Sequence, residues 1–168
     1  MKYPIDLSNH LLKSVIPNFD FNNPEIDTIL FAKDMAETLM NTSGVGLAAN
    51  QLGLLYRCIV IRSNPVLVMY NPKIVDSSSK EVYMEEGCLS FPGYIVKVKR
   101  PEHIRVRYTL PNGETKTDKY TGMTSRIIQH EVDHLNGILF MDRATRYHRD
   151  KAKKKNAMDA ARIKHEKS

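Results

Sequence analysis

The segment Gln129-His130-Glu131-Val132-Asp133-His134 constrains this chain more than any other. Histidines four residues apart share one face of a helix, so a helical segment here points two imidazoles at a single ion, with a carboxylate beside the first. Two ligands do not complete a catalytic centre, which normally draws three from the protein and leaves a position for water. The fold must therefore deliver a third ligand from elsewhere. Taken alone, the hexapeptide also fits a hydrogen-bonded surface pair.

The cysteines supply the candidate. There are two, Cys58 and Cys88, too few for a disulfide scaffold and in keeping with a reducing compartment. Cys58 lies in the β-branched run Arg57-Cys58-Ile59-Val60-Ile61 and reads as a small buried hydrophobe. Cys88 stands in Glu86-Gly87-Cys88-Leu89-Ser90, where glycine lets backbone approach a site, and a thiolate is a strong ligand for zinc or ferrous iron. The expected centre is one divalent ion held by Cys88, His130 and His134. One thiolate and two neutral imidazoles leave it a residual positive charge, which lowers the pKa of the water it binds toward neutrality. Glu131 is then placed to carry a proton from that water to a leaving group.

Charge that develops on an attacked carbonyl oxygen needs positioned donors. The Gln51 side-chain amide and the Leu89 backbone N–H are the candidates. Gln51 closes Gly44-Val45-Gly46-Leu47-Ala48-Ala49-Asn50-Gln51. By itself that stretch reads first as a helix C-cap with a tight turn, and only second as a loop that brings backbone to a ligand.

The rest of the chain sets the frame. Its 168 residues are most simply one domain, able to bury roughly two thirds of the surface of the unfolded chain. No stretch approaches a membrane span, and Met1 to Asp6 opens no apolar run of signal length, so a cytosolic, cytoplasmic protein is expected. The first twenty-odd residues read as an extended arm. Asn23-Pro24-Glu25 announces a helix whose apolar stripe would be Ile26, Ile29, Leu30, Met35, Ala36, Leu39 and Met40, ending near Asn41 to Gly44. From Arg57 to Tyr120 the pattern is strand-like: Ile104, Val106, Tyr108 and Leu110 alternate with polar residues, and Pro111-Asn112-Gly113-Glu114 signals a hairpin. Asn64-Pro65, Asn71-Pro72, Asp76 to Ser79 and Phe91-Pro92-Gly93 have turn composition. Thr121 to Ser125 offers capping hydroxyls to the metal-binding helix, and Asn136-Gly137 ends it. The expected class is α+β, mainly antiparallel sheets packed around that central helix.

The net charge of +6 resides in the tail: residues 142 to 168 hold ten Lys or Arg against four acids, and the remainder balances. The boundaries expected are a catalytic domain over 1–141 and a basic, helical C-terminal tail over 142–168. Such a tail reads either as a solvated helix with a frayed end or as a surface for RNA phosphates.

Together, Gly44 to Gln51, Glu86 to Ser90 and Gln129 to His134 resemble the signature blocks of the peptide deformylases: Gly-x-Gly-x-Ala-Ala-x-Gln, Glu-Gly-Cys-Leu-Ser and Gln-His-Glu-x-Asp-His, complete and in that order. The resemblance implies removal of the formyl group from the initiator methionine of new polypeptides, with release of formate. It implies Cys88, His130 and His134 as metal ligands, Glu131 as acid/base, and Gln51 with the Leu89 amide as oxyanion donors. It further implies Fe2+ as the ion, with Zn2+, Ni2+ or Co2+ able to substitute. Gly46 and Gly87 correspond to backbone partners of an extended substrate. Val45, Glu86, Ile127, Ile128 and His130 match positions that line the family's methionine pocket. A C-terminal helix docks some bacterial relatives on the ribosome, and the tail here suits that partner; the chain is expected to act as a monomer, away from membranes.

Two departures stand out. Ser8-Asn9-His10-Leu11-Leu12-Lys13 replaces the Pro-Asp-x-x-Leu-Arg of many bacterial members, and Gly93-Tyr94-Ile95 stands where some carry an arginine near the mouth of the site. A metallopeptidase of ordinary peptide bonds shares the His-Glu-x-x-His helix, but the setting of Cys88 separates it. A ribosomal-RNA-binding protein without activity would have no need of the ligands or of Glu131.

Overall fold

The computed structural model describes residues 10 to 166, with side chains described through Met158. The start of the expected arm, including Ser8 and Asn9, lies outside the described residues. The remainder of the arm is not simply extended: His10–Lys13 is a 3-10 turn that buries Leu12, and Ile16 is buried beyond it.

Helix α1 (Thr28–Met40) begins four residues later than the Asn23-Pro24 signal suggests. Asp27 is the cap, its carboxylate accepting from the N–H groups of Ile29 and Leu30 at 3.0 and 2.9 Å. The buried face also differs. Phe31, Met35 and Leu39, four apart, meet the core, whereas Ile29 and Leu30 are 63% and 54% exposed. The aromatic ring of Phe31 decides the helix rotation, because it closes on Tyr56 and Tyr70 at 5.2 and 6.4 Å between centroids.

Strands β1 (Gly46–Ala48), β2 (Cys58–Ile61), β3 (Leu67–Ser77), β6 (His103–Thr109) and β7 (Thr115–Thr121) form one sheet in the order β1-β2-β3-β6-β7. Strands β4 (Glu81–Cys88) and β5 (Phe91–Pro101) make a separate hairpin, inserted between β3 and β6. Every pairing is antiparallel, as the alternating patterns imply. Two expected turns are strand instead. Asn71-Pro72 lies inside β3, where a register shift between Tyr70 and Lys73 and a φ of +51° at Asn71 make an irregularity without ending the strand. Phe91-Pro92-Gly93 starts β5, and the reversal falls one step earlier at Leu89-Ser90. Pro111 to Glu114 joins β6 to β7 as expected, with Gly113 at a φ of +87°.

Strand β2 is buried on both faces. Ile59 and Ile61 join the cluster under helix α2 (Gly122–Leu135), while Cys58 and Val60 join the cluster under α1. A third cluster fastens the β4–β5 hairpin: Val96 and Val98 meet Phe140, Ala144 and Ala152. Ala152 belongs to α3 (Arg146–Glu166), so the first turns of the tail helix are seated on the hairpin.

Candidate metal centre and substrate cleft

Helix α2 is buried from Ser125 to Leu135, polar residues included. Its start uses no side-chain cap: Thr121 holds the N-cap position without a side-chain bond, and the Ser125 hydroxyl accepts from Gln129 Nε2 at 3.0 Å. Its end is held by Arg57, which donates to the Leu135 carbonyl and to Asn136 Oδ1 at 3.1 and 2.8 Å. A cation there complements the negative end of the helix dipole. Asn50, from the second-to-last place of the glycine block, donates to the His134 carbonyl at 2.6 Å. The metal helix is thus tied directly to the segment that carries Gln51.

On this helix His130 and His134 present their rings 4.9 Å apart between centroids, and Cys88, at the end of β4, faces them. The candidate ligand atoms of Cys88, His130 and His134 all lie within 4.8 Å of one another, and Cys88 Sγ is 3.2 Å from His134 Nε2. Ligands at about 2.0–2.3 Å from one tetrahedral ion sit roughly 3.5 Å apart, so the set fits a zinc-like or ferrous ion. His130 Nδ1 is committed to Glu86 Oε2 at 3.0 Å, which fixes the tautomer and leaves Nε2 bare for metal. Without an ion, burial lowers the His130 pKa, but the Cys88 sulfur and Glu86 outweigh it and carry it to about 10. His134 goes the other way, to about 3, through burial first and then the charges of His130 and Arg100.

Glu131 lies beside these ligands and lines the cleft, and its Oε2 is buried with no protein partner. Burial pushes its carboxyl up to about 7, against the pull of His130. A carboxyl poised near neutrality both takes and returns a proton at working pH. The space it occupies belongs to Gly46: a Cβ there would meet Glu131 Oε1, and it would stand 2.6 Å from Ile127 Cγ2. Gly44 is likewise pressed against Leu89 Cδ1, at 2.6 Å from a would-be Cβ. The glycine pair is therefore close-approach backbone and not merely a turn. Gln51 Oε1 accepts from the Ala48 N–H at 2.8 Å, which turns Nε2 toward Ser90 Oγ at 3.1 Å and Cys88 Sγ at 3.5 Å.

The cleft above these groups is a cavity of about 500 Å³. Val45, Gly46, Gln51, Glu86, Gly87, Leu89, Ile127 and His130 line it, together with Met123, Phe91, Tyr94 and Ile95. Ile128, expected in the methionine pocket, is not there: its side chain is fully buried in the cluster between α2 and the sheet, since adjacent helix residues face different ways.

Sequence reasoning missed the charges that hold the ligands. Glu86 accepts from Arg100 Nε and Nη2 at 2.7 and 2.9 Å and from Arg126 Nη1 at 2.9 Å. Burial raises the Glu86 pKa, but His130 and Arg100 more than reverse that and hold it well below the usual carboxylate range. Arg100 also donates to Asp133 Oδ2 at 2.6 Å, and Arg143 Nη2 donates to Asp133 Oδ1 at 2.6 Å. Asp133 is thereby held between two arginines, neither of them near it in sequence. Parity held the signal: Arg100 shares the strand face of Val96 and Val98, which is the buried one.

The polypeptide deformylase family model matches residues 5–150. A peptide deformylase of Thermodesulfovibrio yellowstonii is 37% identical over 160 residues, covering 92% of this chain and 93% of the relative. One from Thermoanaerobacter pseudethanolicus is 44% identical over 126 residues, 74% of this chain and 77% of the relative. Among solved structures, a peptide deformylase from Synechococcus elongatus in complex with actinonin superposes with a TM-score of 0.81 at 36% identity, over 92% of this chain and 86% of that one. The Met-Ala-Ser-bound class I type b enzyme of Acinetobacter baumannii gives 0.74 at 36% identity, over 81% and 93%.

Proposed function

This chain belongs to the peptide deformylase family, and we propose that its catalysis is carried by Cys88, His130, His134, Glu131, Gln51 and the Leu89 amide. The chain is a metal-dependent hydrolase that removes the formyl group from the N-terminal methionine of newly made polypeptides and releases formate. One observation supports the residue assignment above the others: three ligand atoms from two distant segments converge within 4.8 Å, beside a buried carboxyl poised near neutrality.

Cys88, His130 and His134 hold the divalent ion, which we assign as Fe2+, with Zn2+, Ni2+ or Co2+ able to replace it. When bound, the ion supplies Lewis acidity and lowers the pKa of a coordinated water. Glu131 takes the proton of the attacking water and returns it to the departing amine, so that water and formyl amide become formate and a free N-terminus. Gln51 Nε2, held in orientation by Ala48, and the Leu89 N–H donate to the oxygen on which negative charge develops. The methionine side chain lies against Val45, Ile127 and Met123, with Glu86 and His130 at its back; the first and last of those three apolar residues are 51% and 56% exposed in the open cleft. Gly46 and Gly87 give main-chain bonds to the extended peptide, and the Met-Ala-Ser bound by the Acinetobacter relative is a substrate portion of the right length.

Residues 1–141 form the catalytic unit and 142–168 a ribosome-docking tail, working as a monomer in the cytoplasm. Among the described residues no helix is long and apolar enough to cross a membrane. An anaerobic assay of the iron-loaded protein on formyl-Met-Ala-Ser and acetyl-Met-Ala-Ser tests the reading: formate and new amine are expected from the first alone. Cleavage of internal peptide bonds, or no formate, refutes it.

A further inference from the structure

We propose that the groove where α3 crosses the β4–β5 hairpin is a distal substrate subsite for acidic side chains, about three residues or more beyond the formylated methionine. The inference rests on the deformylase reading. The groove is a cavity of about 340 Å³, and Glu85 and Ile95 line both it and the catalytic cleft, so the two adjoin. Glu85 stands three places before Cys88 on β4, roughly 10 Å away at about 3.3 Å per strand residue. A peptide extended from a formyl carbon at the ligand cluster covers that distance in about three residues and then enters the groove.

The lining is cationic at its rim and apolar at its floor. Lys97 comes from β5, and Lys151 and Lys155, four apart, come from one face of α3. None of the three forms an ion pair with a described residue; Lys97 rests over the Tyr83 ring, 5.7 Å from its centroid. Glu85, opposite Lys97 in the hairpin register, is the groove's only acid among the described residues. Ile95, Val96 and the buried Ala152 make the floor. An Asp or Glu side chain suits this surface, with methylenes on the floor and the carboxylate among lysines. A polypeptide already bound at its formyl end presents such a side chain at high effective concentration, so modest contacts suffice. A free nucleic acid gains no such advantage in a groove with three lysines.

Formate release is measured on formyl-Met-Ala-Ser extended by three alanines, three glutamates or three lysines. At about 50 mM salt the glutamate peptide is expected to show a KM about threefold or more below the alanine peptide, and the lysine peptide one above it. At about 0.5 M salt the three converge, with kcat changed little throughout. The charge reversals Lys151→Glu and Lys155→Glu invert the order and leave formyl-Met-Ala-Ser itself unaffected; Lys151→Ala with Lys155→Ala abolishes the preference. Equal KM values at low salt, or an acidic preference that survives both reversals, overturn the subsite. If no peptide releases formate, formyl-Met-Ala-Ser included, the deformylase reading falls and the subsite with it.

Discussion

Replacing Arg100 by methionine tests whether the metal helix is held by buried charge. The guanidinium is 4% exposed and makes three bonds of 2.6 to 2.9 Å, two to Glu86 and one to Asp133. Methionine fills much of the same space but leaves two buried carboxylates short of a partner. Breaking a buried ion pair costs about 3–5 kcal/mol. Arg126 stays on Glu86 and Arg143 on Asp133, so the lower end, about 3 kcal/mol, is expected. For a chain of this size that is a fall of about 6–12 °C in Tm. Glu86 also orients His130 through Nδ1, so metal affinity drops about 10- to 100-fold. Calorimetry with and without metal, and competition against a chelator, read the two effects separately. The double variant Glu86→Gln/Arg100→Met loses less than the sum of its parts, because each charge is costly chiefly without the other. A single variant within about 1 kcal/mol of wild type, with unchanged metal affinity, refutes the reasoning.

Further outcomes are expected from the site and the tail. Glu131→Gln retains the ion but lowers kcat by about 10²- to 10⁴-fold. In metal-stripped protein its effect on stability has the opposite sign: burial holds the native carboxyl at about 7, so the native state keeps its proton longer than the unfolded chain and wild type loses stability as pH rises from 4.5 to about 7. Denaturant titrations should find that slope flattened in the variant, which gains about 3 kcal/mol above pH 7. Gly46→Ala forces Glu131 and Ile127 aside, and steady-state kinetics should show a fall in kcat of about 10²-fold with metal content intact. Deleting residues 147–168 strips Ala152 from Val96, Val98 and Phe140 and lowers Tm by a few degrees, about 1–2 kcal/mol, whereas Lys153→Glu/Lys154→Glu leaves Tm unchanged and weakens salt-sensitive ribosome cosedimentation.

The legible parts of the chain are those in which a local period carries the information. The alternation of Ile104, Val106 and Tyr108 against Arg105 and Arg107 gives β6 its two faces, and the four-residue spacing of His130 and His134 places both on one side of α2. The stripe of helix α1 misleads because its apolar residues outnumber the places available in the core. Ile29, Leu30 and Met40 are as hydrophobic as the residues that are buried, and only the aromatic contacts of Phe31 select the face. Turn composition misleads at Asn71-Pro72 because β3 continues through its bulge, with Asn71 bonded to the Phe19 backbone at 2.7 and 2.9 Å. The arginines are hidden for a different reason. Lys97-Val98-Lys99-Arg100 reads as alternating solvent cations, and nothing local separates Arg100 from the two lysines except its parity with the valines.

That hidden set resolves a conflict built into the motif. A helix whose histidines must meet a thiolate and a carboxyl in a dry cleft has to be buried on its polar side as well as its apolar one. Water then no longer solvates Glu86, Glu131 or Asp133. Two of these carboxylates are paired with arginines: Glu86, held well below the usual carboxylate range, orients His130, and Asp133 anchors the helix to Arg100 and Arg143. Glu131 alone lacks an arginine, and burial drives its pKa upward. The carboxyl left without an arginine is the one to which the proposed mechanism gives the proton transfer, and the arginines stand on the other two.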